Sequence, residues 1–68
     1  MWIKTTEAMY NFDSLDMVWL EDNENGVGCR TCARDWNDNE VVLSWTKDVR
    51  GLIINALQNG ANFVEVSH

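Results

Sequence analysis

One segment of this chain has the apolar periodicity of an amphipathic α-helix, and it limits the folds that the rest can form. Its apolar residues recur at the spacing i, i+3, i+4, i+7 and i+8, on one helix face: Val49, Leu52, Ile53, Ala56 and Leu57. Thr46 is a candidate N-cap, and Asp48 falls in the predicted first turn. Asn59 and Gly60 predict the helix end, because glycine readily adopts the left-handed conformation that closes a helix.

The other apolar segments are short and separated by polar turns, as is typical of β-strands. The predicted strands span residues 1–5, 7–12, 17–20, 27–34, 41–45 and 63–66. Residues 13–16 predict a turn or a single helical turn, and residues 35–40 predict a second turn, because Asp, Asn and Ser hydrogen-bond to the nearby backbone. Residues 21–26 (EDNENG) end in Asn25-Gly26, a pair that tolerates the positive φ of a tight hairpin.

These elements predict an α+β fold. We expect an antiparallel β-meander of about five strands, one C-terminal amphipathic helix packed on a face of the sheet, and a short last strand. The chain shows no repeat or linker, so residues 1–68 are predicted to form a single domain. Its four tryptophans, each able to bury about 200 Å², make a small core workable: Trp2, Trp19, Trp36 and Trp45.

The CxxC motif of Cys29 and Cys32 raises the question of a metal or redox site. A structural zinc ion needs four ligands, whereas the chain has two cysteines and one histidine, His68. A redox CxxC places its first cysteine at a helix N-terminus, whereas this motif follows a glycine turn. In a strand the two thiols point to opposite faces. We therefore predict no metal and no cofactor, with Cys29 in the core and Cys32 on the other face.

No catalytic pattern stands out, and we predict a protein that is not an enzyme. Nucleophilic catalysis needs a base beside Ser or Cys, and His68 is the terminal residue. Gly26 and Gly28 do not precede a helix, so they do not form a phosphate-binding loop. The carboxylates fall on turns, where a chain of 68 residues has no cleft to close over a substrate.

The net charge of −6 and a pI near 4.3 argue against direct binding to nucleic acid, whose phosphates would repel the chain. The same charge favours a basic partner, since complementary fields speed and select encounters. We see no signal peptide and no apolar run long enough for a membrane span. A cytoplasmic location with reduced thiols is therefore expected.

The acidic residues fall into two groups if successive turns of the meander alternate between the ends of the sheet. One group is Asp13, Asp16, Asp35, Asp38 and Glu40; the other is Glu7, Glu21, Asp22 and Glu24. A strand over residues 27–35 would separate the groups by about 30 Å, at about 3.3 Å per residue. The basic residues lie in strands and the helix, so we expect both groups to stay unneutralised: Lys4, Arg30, Arg34, Lys47 and Arg50.

Two explanations fit these acids. They could imitate the charge of a nucleic-acid duplex, or they could simply reflect the usual Asp and Asn content of turns and keep the chain soluble. Trp36 sits inside the turn 35–40, where it could anchor a protein interface or fold back over the sheet. Trp2 and Trp19 could form a second apolar surface on the face opposite the helix, and that surface could serve a homodimer.

In its size, its pI and its acidic turns EDNENG and DWNDNE, the chain resembles the small acidic inhibitors of phages and mobile elements, namely anti-CRISPR proteins and other DNA mimics. The resemblance implies a basic nucleic-acid-binding partner, for example the DNA- or PAM-recognition surface of a CRISPR effector in the host cytoplasm. The implied contact residues are Trp36 and eight acids of the turns: Asp13, Asp16, Asp35, Asp38, Glu40, Glu21, Asp22 and Glu24. The alternative is a small homodimeric structural or regulatory module whose tryptophans form the interface.

Overall fold

The computed structural model describes residues 1–66, so His68 lies outside the described part of the chain. The order of elements is β1 (Trp2–Lys4), β2 (Met9–Asn11), a 3₁₀ helix (Phe12–Ser14), β3 (Leu15–Asp22), β4 (Cys29–Asp35), β5 (Glu40–Ser44), α1 (Arg50–Gln58) and β6 (Phe63–Glu65). The α+β class with a single helix is confirmed.

The strands form two three-stranded sheets, so the meander is shorter than the sequence predicts. It runs through β3, β4 and β5, while the other sheet has the order β2–β1–β6. Between β2 and β3 the 3₁₀ helix directs the chain from one sheet into the other, and hydrogen bonds of Asn11 stabilise this corner. The Asn11 side-chain oxygen accepts the Asp13 N–H (3.0 Å), and the Ser14 hydroxyl donates to the Asn11 carbonyl (2.7 Å).

The last strand pairs in parallel with β1, which makes β1 the centre of its sheet. Both sheets turn apolar side chains toward α1. The buried cluster combines residues from β1, β4, β5, the helix with its N-cap, and the segment just after β6: Ile3, Ala33, Leu43, Val49, Ile53 and Val66. The core therefore lies between the two sheets and the helix.

The helix begins later than predicted, at Arg50, so the prediction that Thr46 is its N-cap is wrong. Val49 is the N-cap and makes no side-chain capping bond. The reason is a long-range contact, because the buried Thr31 hydroxyl donates to the Lys47 carbonyl (2.8 Å) and accepts the Val49 N–H (3.0 Å). These bonds hold residues 47–49 against β4 in a non-helical path.

The helix end is confirmed. Gly60 adopts a φ of +66°, and the Ala61 N–H donates to the Ala56 carbonyl (2.9 Å), as in a Schellman motif. Of the predicted apolar stripe, Ile53 and Ala56 are buried within the helix, whereas Leu52 and Leu57 are about half exposed. The buried stripe is thus narrower than the periodicity indicates.

Candidate partner-binding surface

The strand register places the predicted acidic groups at opposite ends of the β3–β4–β5 sheet. Leu15 pairs with Asp35 at one end and Asp22 pairs with Cys29 at the other. The first end, called the Trp36 end below, carries Asp13, Asp16, Asp35, Asp38 and Glu40. The second carries Glu21, Asp22 and Glu24, whereas Glu7, the fourth residue predicted for this group, lies between β1 and β2 of the other sheet. Because β4 spans only Cys29–Asp35, the separation along it is about 20 Å and not 30 Å.

Arginines on β4 partly neutralise both ends, so the expectation of unneutralised groups is wrong in this respect. Arg34 binds Asp16 (2.8 Å) and lies 3.8 Å from Asp38. Arg30 binds Glu21 with two N–H groups (2.9 and 2.8 Å). These pairs form because neighbouring strands bring residues far apart in sequence side by side.

The ion pairs lower the pKa of Glu21 and raise the pKa values of Arg30 and Arg34. The hydrogen bond from Arg30 is the main cause that lowers the pKa of Glu21, with smaller contributions from Trp19 and Cys32. The hydrogen bond with Asp16 raises the pKa of Arg34. Both arginines therefore stay charged, and Arg30 keeps the Glu21 carboxylate ionised.

The Trp36 end nevertheless keeps most of the chain's charge. Its five carboxylates face one guanidinium, that of Arg34, which leaves −4 of the total −6 at this end. The Asp38 side chain is 88% exposed. The charge at this end is therefore available to a partner in solution.

Asp35 organises the turn that carries Trp36. One oxygen of its carboxylate accepts the N–H groups of Asn37 (2.8 Å) and Asn39 (2.9 Å), and the other accepts the Asn39 side-chain amide (3.1 Å). Asp38 adopts a φ of +65°, which lets the chain reverse over so few residues. Asp35 thus shapes the turn, while Asp38 and Glu40 are the carboxylates that it presents.

Trp36 has the most exposed aromatic side chain in the described part of the chain, at 70%. It stands on the turn between β4 and β5 and does not belong to the buried cluster. An exposed indole surrounded by carboxylates combines an apolar contact area with a field that attracts cations. This is the combination that an interface with a basic protein requires.

The other tryptophans do not form one surface. Trp2 lies on β1 next to Asn11 and Phe63, whereas Trp19 lies on β3 opposite Cys32 in the other sheet. Trp2 is about half exposed, as are Met9 and Phe63. The predicted surface of Trp2 and Trp19 is therefore replaced by a patch of Trp2 and Phe63 on the first sheet.

The two cysteines exchange the roles that the sequence predicts for them. Cys32 is 4% exposed because Trp19 and Val42 flank it on neighbouring strands, and Cys29 is only half-buried. Burial and the hydrogen bond to Glu21 raise the pKa of the Cys32 thiol, which opposes nucleophilic or ligand chemistry. Within residues 1–66, no group of three or more His, Cys, Asp or Glu side chains is placed to hold a metal ion.

Sequence reasoning missed an apolar groove between β3 and α1. Its walls include Phe12 and Met17 on one side and Ile54 and Leu57 on the other. Leu57 belongs to the predicted apolar stripe, which was expected to be buried, and Ile54 lies outside that stripe. The helical periodicity therefore did not predict that these two residues line an open groove. The width of the apolar face of the helix could have indicated the groove. Ile54 lies beside the predicted apolar stripe, so the helix carries more apolar surface than the stripe alone.

Comparison of the chain with family models, with curated proteins and with solved structures finds no significant match. Over residues 1–66, no helix has the length and the apolar character needed to cross a membrane.

The Asp35 carboxyl makes the stability of the fold depend on pH, and this dependence can be tested. The backbone N–H of Asn39 is the main cause that lowers the pKa of the Asp35 carboxyl below its ordinary value of 3.8. A depressed folded-state pKa stabilises the fold above the unfolded-state value, and this contribution disappears as the pH falls through the folded-state value. We expect carbon-detected NMR titration to place the Asp35 midpoint below 3.8. In Asn39→Ala, which lacks only the side-chain amide, the midpoint should rise slightly; a wild-type midpoint above the ordinary value would contradict the bonding described.

Proposed function

We propose that this chain is an acidic, non-enzymatic inhibitor that binds the basic nucleic-acid-binding surface of a partner protein through its Trp36 end. The observation that carries the proposal is the braced turn 35–40. It holds a 70% exposed tryptophan among carboxylates. Nothing in the packing of the described residues requires a tryptophan there, since Trp36 lies outside the core cluster.

The charge of the Trp36 end suits arginines and lysines that normally hold phosphates. Carboxylates form short, charge-assisted bonds with guanidinium groups, and phosphate contacts are the main positioning contacts of DNA-binding proteins. Asp38 is 88% exposed and has only a long 3.8 Å contact with Arg34, and Glu40 is exposed, so both can make such contacts. Asp16 is instead bound to Arg34 at 2.8 Å. A local charge of −4 would also accelerate the encounter with a basic groove.

The bracing of the turn favours tight binding as well. Ordering a loop on association costs free energy, and a loop that is already held by hydrogen bonds avoids much of that cost. Tryptophan is the residue most enriched at the energetic centres of interfaces. In the proposal Trp36 fills an apolar recess of the partner, while Asp38 and Glu40 meet its cations.

The partner class follows from the resemblance to anti-CRISPR proteins. A CRISPR effector reads the motif that flanks its target through a basic cleft, and a decoy seated there would prevent DNA from entering. The contact set includes the remaining acids of the Trp36 end, Asp13, Asp16 and Asp35, and the second acidic group, Glu21, Asp22 and Glu24, for a partner whose groove spans both ends. Such an inhibitor would act in the host cytoplasm.

The test compares the wild type and three variants of the chain against purified DNA-cutting CRISPR effectors, with binding and target cleavage as readouts. Asp38→Asn/Glu40→Gln should weaken binding about tenfold at low salt and flatten its salt dependence. Trp36→Ala should weaken it about thirtyfold, the effect of about 2 kcal/mol. Glu7→Gln/Glu65→Gln removes the same charge away from the Trp36 end and should bind like the wild type.

DNA added before the chain should protect the effector from inhibition if both occupy one groove. Equal binding of the wild type, the Asp38/Glu40 variant and the Glu7/Glu65 control would show that the acids serve solubility alone. Inhibition that persists when DNA is already bound would contradict the decoy mechanism.

A homodimeric module remains the second candidate, and the Trp2–Phe63 patch favours it. These two half-exposed side chains are cross-strand neighbours on β1 and β6. Sedimentation equilibrium should show a dimer that Trp2→Ser dissociates if this candidate is right. A monomer at all concentrations would remove it.

A further inference from the structure

The longest strand of the protein has one unpaired side. The eight-residue strand β3 is at the edge of its sheet and pairs only with β4. No strand within residues 1–66 lies along its other side. An edge of this length presents backbone donors and acceptors to any extended segment of suitable shape.

The register identifies the backbone groups that this edge offers. The Asn23 N–H donates to the Gly28 carbonyl (3.4 Å), so this pair is hydrogen-bonded. Hydrogen-bonded and non-hydrogen-bonded pairs alternate along an antiparallel ladder. The Trp19 and Glu21 backbone groups therefore face β4, while those of Val18, Leu20 and Asp22 face away from it.

The helix extends over the space beside this edge. The groove between β3 and α1 has a volume of about 260 Å³ and a mostly apolar lining. Its charged members are Asp16 and Arg50, each already held in an ion pair. On its helix side Ile54 is 53% exposed and Leu57 is 44% exposed. A further strand alongside β3 would place the side chains of one of its faces against these two residues. Those side chains would then be shielded from solvent.

Both ends of the edge are acidic. Asp16 and the rest of the Trp36 end lie at the start of β3, and Asp22 and Glu24 lie at its end. A segment that follows the edge therefore runs between two negative groups and past an apolar groove. Its best complement is an extended segment with basic side chains and apolar side chains on alternating positions.

We propose that the free edge of β3 binds an extended basic segment of the partner protein as an added strand. This inference rests on the proposed function for the charge of the partner, but it concerns a different contact from the Trp36 turn. Backbone hydrogen bonds would come from Val18, Leu20 and Asp22, and the groove under Ile54 and Leu57 would take the apolar side chains.

A second copy of the chain fits this edge poorly. Antiparallel self-pairing of β3 about Trp19 would join outward-facing residues of the two copies and place Asp16 of one copy opposite Asp22 of the other. Like charges placed opposite each other destabilise a strand pair. The charges thus favour a basic partner strand over a dimer through β3.

The test uses the full isotope-labelled chain and an eight-residue peptide of alternating arginine and valine with blocked termini. We expect the amides of Val18, Leu20 and Asp22 to exchange with solvent at least tenfold more slowly when the peptide is saturating. Trp19 and Glu21, which already face β4, should change little. The matched control peptide is N-methylated at every residue, which removes the backbone donors of both edges and should weaken binding at least tenfold.

Variants of the helix test the groove. Ile54→Ser should weaken peptide binding about fivefold to tenfold, and Leu52→Ser should leave it unchanged. Leu52 is an equally exposed helix residue that does not line the groove. Neither substitution changes the charge, so any difference reports the apolar contact.

Either of two results would overturn the inference. One is equal affinity for both peptides, which would mean that attraction is electrostatic alone; the other is binding without protection of the three amides. If Asp38→Asn/Glu40→Gln still reduces binding to an effector in that case, the proposed function stands and only the added strand fails. If the three amides are protected but Asp38→Asn/Glu40→Gln binds the effector like the wild type, the added strand stands and the proposed function fails.

Discussion

Replacing Ile3 with alanine is expected to lower the free energy of unfolding by about 2–5 kcal/mol. Ile3 is fully buried at the centre of β1, between β2 and β6. A chain of this size has a total stability of about 3–10 kcal/mol, so the loss is a large fraction of the total and should lower the urea midpoint strongly. Urea denaturation followed by tryptophan fluorescence would measure the loss.

Ile3→Val is the matched control, because it removes one methylene and should cost only about 0.5–1.5 kcal/mol. If the alanine variant were as stable as this control, the β2–β1–β6 sheet would lie outside the cooperative unit of the fold. Its parallel pairing with β6 would then contribute little to stability.

Replacing Thr31 with valine is expected to cost about 2 kcal/mol, although valine has the same shape and is more apolar. The Thr31 hydroxyl is fully buried, and its loss leaves the buried Val49 N–H without an acceptor. For a domain of this size, the thermal midpoint should fall by about 8–16 °C. Thermal denaturation followed by circular dichroism would measure it.

Thr31→Ser gives the decisive comparison. Serine keeps the hydroxyl that bonds Lys47 and Val49 but loses a methyl group, so it should cost about 1 kcal/mol. A hydrogen-bond role predicts that serine is more stable than valine, whereas a purely apolar role predicts the opposite order. A valine variant at least as stable as the serine variant would contradict the account of the helix start given above.

Local signals in the sequence predicted several elements well. The hairpin at Asn25-Gly26 appears with Gly26 at a φ of +74°, and Gly60 ends the helix. The strands lie within a few residues of their predicted bounds, though Glu21 and Asp22 belong to β3 and not to the turn. These features depend on side chains a few residues apart, and such interactions can be recognised from spacing alone.

The same local signals failed where a distant residue intervened. Thr46 has the side chain of a good N-cap, yet Thr31 binds residues 47 and 49 from another strand and delays the helix to Arg50. The acids of the turns were predicted to be free, yet Arg34 and Arg30 reach two of them across the sheet. A sequence pattern does not record which strand lies next to which.

The sequence by itself determined the α+β composition, the acidic turns and the placing of a tryptophan within one of them. Periods of 2 and 3.6 and the chemistry of turn residues act over short distances, so they can be recognised in the chain. Only the tertiary structure decided that the strands divide into two sheets, that β6 joins β1 in parallel, and that β3 keeps a free edge beside the helix. These features depend on register between distant segments, which packing selects among many arrangements with similar local preferences.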